Sequence, residues 1–179
     1  MTFHLSLPRR VLFGPGVYAR LGEVARTMGR RALLVTGRSA LRRSGRLQQA
    51  EDMLREQGVD YLLIEGVEND PSLTTCVHAI HTARRERCDF VLSIGGGSAL
   101  DAGKAAAAVA PQAGDLEAYF HGGRKLERNP LPHLAVPTTA GTGSESTPNA
   151  VLTDTARGIK KSLRDERMVP DAALADPEL

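Results

Sequence analysis

Residues 90–104 read F-V-L-S-I-G-G-G-S-A-L-D-A-G-K, and no other stretch narrows the fold as far. An apolar run ends in Gly95, Gly96 and Gly97, and a helix-forming segment begins at Ser98. A strand that passes through glycines straight into a helix presents main-chain N–H groups and the positive end of a helix dipole at one point. That is a place for a phosphate. Glycine suits it because a Cβ would hold a ligand's oxygens away from the backbone. Ser98 and Asp101 have the S-x-x-[DE] spacing of a capping box, which predicts that they fix the helix start. The pattern is neither G-x-G-x-x-G nor G-x-x-x-x-G-K-[ST], and Lys104 falls inside the new helix. By itself it reads as a phosphate binder of unspecified type, or as a tight turn.

The rest of the chain supplies a frame for that turn. Val11–Phe13 reads as a short strand, and Val17, Leu21, Val24, Ala25 and Met28 as one helical face ended by Gly29. Ala32–Thr36 is a strand; Gly37-Arg38-Ser39 then turns into a helix ending near Gly58. Val59–Ile64 is the next strand, and Asn69-Asp70-Pro71-Ser72 starts a helix reaching about Arg87. Asp89–Ile94 delivers the glycines, and Ser98 to about Ala110 is an Ala-rich helix. Such alternation predicts an α/β fold of Rossmann-like type, with a parallel sheet covered by helices on both faces. The loops after successive strands then share one sheet edge, where open α/β sheets bind ligands. Gly37-Arg38, Asn69 and Gly95–Ser98 all fall there. Beyond Pro111, residues 114–128 read as a helix and a loop, His133–Pro137 as a strand, and Val151–Thr153 and Ile159–Leu163 as strands flanking a tip at 154–158.

Composition excludes several functions. With 179 residues, 41% hydrophobic and 25% charged, the chain fits one soluble globular domain over residues 1–179. A net charge of +2 gives no nucleic-acid footprint. No run approaches the length of a membrane span, and Met1–Arg10 has no continuous apolar core, so neither membrane partner nor secretory signal is expected. Cys76 and Cys88 fall in or beside one helix, too far apart along it for a disulfide, which fits a reducing cytoplasm. His78 and His81 are spaced i, i+3 without a nearby third ligand and read as surface residues, so no metal site is assigned.

A second Gly/hydroxyl turn, Pro137-Thr138-Thr139-Ala140-Gly141-Thr142-Gly143-Ser144-Glu145, follows the His133–Pro137 strand. Together with Gly95-Gly96-Gly97-Ser98, Asp101 and Lys104, and with Asp176-Pro177-Glu178-Leu179, it closely resembles the iron-containing (group III) alcohol dehydrogenases. Leu7-Pro8 through Phe13-Gly14 and Thr147–Asp154 fit the same pattern, so the likeness runs over essentially the whole chain.

The resemblance implies an α/β dinucleotide-binding domain followed by an all-helical domain. It also implies hydride transfer between NAD(P) and a small alcohol or aldehyde. The family's divalent metal, iron or zinc, is held by one Asp and three His, all beyond the D-P-E-L segment. A metal is therefore expected only in a full-length member, and this chain reads as a fragment or a truncated product. A non-catalytic dinucleotide-binding module is the alternative. A related maleylacetate, phosphonoacetaldehyde or polyol enzyme is another. Homo-oligomerisation is possible, because loss of a partner domain would expose apolar surface. No residue is assigned as catalytic acid or base.

Carried over residue by residue, the resemblance makes Gly96, Gly97 and Ser98 the pyrophosphate cradle, with Gly95 also counted as cofactor-binding. Asp101 is either a residue near the nicotinamide or a helix cap. Thr138, Thr139, Thr142 and Thr147 point to the adenine, phosphates or ribose, or else bond their own backbone. Asn149 and Lys160 match positions near the ribose and nicotinamide, with a solvated hairpin charge as the alternative for Lys160. Asn69 matches a cofactor contact, or belongs to an ordinary turn and N-cap.

Where NAD-preferring relatives place an Asp, this chain has Gly37, followed by Arg38 and Ser39. A carboxylate would repel a 2′-phosphate, whereas a guanidinium and a hydroxyl accept one. The expectation is that NADP is tolerated or preferred, with Arg42 and Arg43 as helpers. Glu65, at the end of the next strand, is the competing ribose partner that keeps NAD open.

Overall fold

A computed structural model describes residue 2 and residues 6–179. Residues 1 and 3–5, part of the Met1–Arg10 segment read above as carrying no secretory signal, lie outside the described residues. The strands are β1 (Arg10–Phe13), β2 (Arg31–Gly37), β3 (Asp60–Val67), β4 (Phe90–Gly95), β5 (His133–Pro137), β6 (Asn149–Asp154), β7 (Ile159–Arg164) and β8 (Ala172–Ala175). The α-helices are α1 (Leu21–Met28), α2 (Ala40–Arg43), α3 (Arg46–Glu56), α4 (Leu73–Arg85), α5 (Gly97–Val109) and α6 (Leu116–Phe120).

Six strands form one parallel sheet in the order β1-β8-β5-β4-β2-β3. The chain leaves β2 for β3 on one side and leaves β4 for β5 on the other. The winding direction therefore reverses between β2 and β4. In open α/β sheets the ligand crevice lies at such a reversal, outside the carboxyl ends of the two strands. Here those ends are Gly37 and Gly95.

Alternating side chains divide the core. Leu33, Val35 and Val91 pack beneath α4, α5 and α6, while Ala32, Leu34, Phe90, Leu92 and Ile94 pack beneath α1, α2 and α3. α5 is buried nearly all round, including Lys104, and its alanines let it ride close to the sheet. At Gly103 the approach is so tight that any Cβ would overlap Ser93 Oγ. β6 and β7 pair antiparallel as a separate hairpin, as their spacing predicted, with Lys160 opposite Thr153.

Three local expectations need correction. The helix predicted from Ser39 to about Gly58 is two helices, broken at Gly45, which adopts φ 76°. The capping box at Ser98 and Asp101 does not form: Gly96 is the N-cap of α5, and no side chain caps it. The strand at 172–175, unforeseen, fills the gap between β1 and β5. By contrast Ser72, in the Asn69–Ser72 turn, caps α4 by accepting the Thr75 N–H at 3.2 Å.

Candidate functional site

The crevice at the sheet's reversal is a cleft of about 420 Å³. Its lining includes Gly37, Arg38, Ser39, Asn69, Gly96, Gly97, Ser98 and Thr139. Three strand ends and the second turn thus meet at one place. Gly95 adopts φ 156°, and a Cβ there would stand 2.8 Å from Ala99 Cβ, so the bend out of β4 needs glycine. Gly96 faces Thr139, and Gly97 faces Thr142. The Thr138 N–H donates to the Gly95 carbonyl at 2.9 Å, which sets the second turn directly against the first.

The flank of this cleft beside Gly37 is basic. Arg43 Nη1 donates to Ser39 Oγ at 2.6 Å, while Arg38 is exposed at the rim. Glu65, weighed above as a rival ribose partner, is already engaged. Arg42 binds it through Nε at 2.9 Å and Nη2 at 2.8 Å, and these hydrogen bonds hold its carboxyl below the ordinary carboxylate range. Arg42 is thereby spent on Glu65, and the guanidiniums facing the cleft are those of Arg38 and Arg43.

Beside the glycine turn, Ser98 Oγ accepts the Asp70 N–H at 3.2 Å, and Lys160 Nζ pairs with Asp70 Oδ1 at 2.7 Å. Lys160 therefore reaches the rim of the cradle through Asp70. Asn69 lies exposed beside it. Thr138 and Thr139 lead into a neighbouring apolar groove of about 790 Å³. Its walls include Val11, Phe13, Glu145, Pro177 and Leu179.

Asp101 and Thr147 turn inward instead, and Asn149 contributes its main-chain carbonyl. Asp101 Oδ1 accepts from Ser144 Oγ at 2.5 Å and its Oδ2 accepts the Val151 N–H at 2.9 Å. Thr142 Oγ1 accepts the Ser144 N–H at 3.3 Å, the local backbone bond that such threonines commonly make. Lys104, which the sequence places inside the helix and within the family-like motif without a role, lies at the centre. Its Nζ donates to the carbonyls of Ser144 at 2.6 Å and Asn149 at 2.7 Å, to Ser144 Oγ at 3.0 Å and to Thr147 Oγ1 at 3.4 Å. Burial lowers its pKa to about 8. Beneath it His133 Nε2 meets Ser93 Oγ at 2.9 Å, and burial depresses that imidazole to about 3, keeping it neutral.

Both cysteines are free and buried, and burial raises the Cys76 thiol to about 12. His78 and His81 are exposed. Among the described residues no group of three or more His, Cys, Asp and Glu is arranged to hold a metal ion. The donor set present does not fit the family's metal, and no chemistry of these residues is routed through one. No helix of the described residues is long and apolar enough to cross a membrane.

Comparison with known proteins supports the fold. The chain is 34% identical to an NAD-dependent methanol dehydrogenase of Bacillus methanolicus, over 97% of this chain and 45% of that protein. It is 33% identical to an NADPH-dependent butanol dehydrogenase of Clostridium saccharobutylicum, again over 97% of this chain and 45% of the relative. The crystal structure of an NADH-dependent butanol dehydrogenase A from Thermotoga maritima superposes with a TM-score of 0.91 at 30% identity, covering 99% of this chain and 44% of that one. The chain thus spans a little under half the length of these relatives. The family model for iron-containing alcohol dehydrogenase matches residues 8–177, and the chain belongs to that family.

Proposed function

We propose that this chain is the cofactor-binding part of an NAD(P)-dependent alcohol dehydrogenase. It would hold the dinucleotide for hydride exchange with a small alcohol or aldehyde. The observation that carries the reading is the meeting of Gly37, Gly96, Gly97 and Thr139 in one cleft at the sheet's reversal, with an uncapped helix N-terminus behind it. Main-chain N–H groups at the start of α5 bind the pyrophosphate. Ser98 and the Asp70–Lys160 pair border one flank, and Thr139 and Thr142 the other. The dinucleotide then runs from Gly37 across the glycines toward the second turn. A bound nicotinamide supplies the hydride chemistry, and these residues bind it, orient it and exclude water.

The same cleft favours NADPH. Gly37 offers no carboxylate, Arg38, Ser39 and Arg43 surround the position of a 2′-phosphate, and Glu65 is neutralised by Arg42. Fluorescence titration with NADPH and NADH tests both points. Saturable NADPH binding that is tighter than NADH binding is expected, and about a tenfold preference for NADH would overturn the specificity.

A second reading is a dinucleotide-binding unit without turnover of its own. It is favoured by the lack of any metal-holding cluster among the described residues. Saturable NADPH binding without butanol-dependent reduction of NADP would support it. The buried, free Cys76 and Cys88 are compatible with residence in a reducing cytoplasm.

A further inference from the structure

We infer that Lys104 is a positioning residue, whose ammonium group ties the glycine-turn helix to the Ser144–Asn149 segment and so sets the separation of the two walls of the cleft. The inference rests on reading that cleft as a dinucleotide site. Lys104 lies seven residues, or two helical turns, beyond Gly97, and it is the one Lys or Arg buried among the described residues. A buried ammonium costs several kcal/mol unless its protons are used. Every acceptor it finds, Ser144 O, Ser144 Oγ, Thr147 Oγ1 and Asn149 O, belongs to one six-residue stretch. One residue, Gly143, separates that stretch from Thr142, which packs against Gly97.

Titratable groups face Lys104 from three elements. Asp101 Oδ1 is 3.7 Å away on the same helix, Glu145 acts from the clamped segment, and His133 on β5 stays neutral. Asp101 also accepts from Ser144 Oγ and the Val151 N–H, so it holds the start of the same segment and the strand that continues it. Two attachments therefore leave α5 for this segment, one cationic and one anionic. Because burial brings Lys104 down to about 8, its third proton leaves just above neutral pH. The neutral amine keeps two donors for four acceptors. The segment then loosens although the rest of the sheet is unaffected.

The test compares wild type, Lys104→Met and Lys104→Arg in two measurements from about pH 7 to about pH 9.5. One is amide exchange of residues 142–151 in ligand-free protein, corrected for intrinsic base catalysis. The other is the dissociation constant for NADPH by fluorescence. Wild type is expected to protect Ser144, Ser146 and Val151 at neutral pH and to lose protection and affinity together above about 8. Lys104→Met is expected to lack that protection at every pH and to bind NADPH about tenfold more weakly, with a flat profile. Lys104→Arg, which stays charged, is expected to recover affinity at high pH. A folded Lys104→Met that binds NADPH like wild type, with unchanged exchange in this segment, overturns the role. Should that variant fail to fold, a wild-type affinity that is level across the range overturns it equally. Failure of wild type to bind NADPH, with the segment still loosened in Lys104→Met, would instead overturn the dinucleotide reading.

Discussion

Thr142 packs directly over the Cα of Gly97, so that a methyl group at position 97 would lie 2.8 Å from Thr142 Cγ2 and 3.2 Å from its Cβ and Oγ1. The first glycine turn and the second hydroxyl turn are therefore in van der Waals contact. Three atoms of a β-branched side chain crowd the point, and rotation about χ1 cannot clear all of them. Gly97→Ala should accordingly push the second turn outward. Overpacking of this kind costs about 1–3 kcal/mol. The expected result is an NADPH dissociation constant raised about tenfold or more, measured by fluorescence titration. Adding Thr142→Ser removes the 2.8 Å contact and should recover part of the affinity; no recovery would mean that the clash lies elsewhere.

Arg42 and Glu65 set up a second prediction, on specificity. Gly37 has room for a side chain, since a Cβ there meets only the Val67 carbonyl oxygen at 4.0 Å. Gly37→Asp should fold normally and place a carboxylate where a 2′-phosphate would sit. NADPH affinity is expected to fall about tenfold, while NADH affinity holds or rises. Arg42→Ala should act in the same direction more weakly, by releasing Glu65 from its bidentate partner. Parallel titrations with the two cofactors decide the matter, and equal losses for both would count against a 2′-phosphate subsite.

His133 gives a prediction in acid. The folded protein holds it neutral, with a pKa near 3 against an ordinary 6.5, because burial disfavours the imidazolium and Lys104 adds repulsion. Below about 6.5 the unfolded chain takes up a proton that the folded chain refuses, so stability is present above that pH and drains as pH falls toward 3. The slope is at most about 1.4 kcal/mol per pH unit for one proton. Carboxylates with lowered pKa, such as Asp176 and Glu68, add their losses at lower pH. The interval from about 6.5 to about 5 therefore isolates the imidazole. Urea midpoints of wild type should decline across that interval, and those of His133→Gln should stay level.

Much of this architecture is legible in the chain before any coordinate is known. The Gly37 and Gly95 turns mark strand ends because the largely apolar runs Ala32–Thr36 and Phe90–Ile94 stop abruptly at glycine. The break at Gly45 is a local backbone effect, but the other misses share one cause, dependence on long-range partners. Ala172-Ala173-Leu174-Ala175 has neither β-branched residues nor alternation, and it becomes a strand only because β1 and β5 flank it. The S-x-x-D spacing at Ser98 and Asp101 promised a local cap, yet both side chains bond to other segments, Asp70 for one and Ser144 and Val151 for the other. Arg42 and Glu65, read separately as helper and rival, turn out to be each other's partner. Lys104 did carry a signal. Its helix carries just two charges, Asp101 and Lys104, with Ser98 and otherwise Ala, Gly, Leu and Val; with so little polar face, the lysine must be buried against something that accepts its protons.

Gly103 offers the sharpest test of how α5 is seated. A methyl group there would overlap Ser93 Oγ and stand 3.4 Å from His133 Nε2, so the helix cannot stay in place unless one neighbour leaves. Gly103→Ala removes backbone entropy from the unfolded chain, worth about 0.4–1 kcal/mol, but the steric conflict with a fully buried hydroxyl outweighs it. A net loss of roughly 2 kcal/mol in chemical denaturation is expected, with a weakened NADPH site because the start of α5 moves with its middle. Ser93→Ala alone should cost about 1 kcal/mol by leaving the buried imidazole without its partner. In the double variant the closest remaining atom is Ser93 Cβ, 3.1 Å from the new methyl, a contact that a shift of a few tenths of an ångström relieves. The double variant should therefore be more stable than Gly103→Ala. That is a favourable coupling, possible only if the two residues touch across the helix–sheet interface. Strict additivity of the two losses would show that α5 is seated elsewhere.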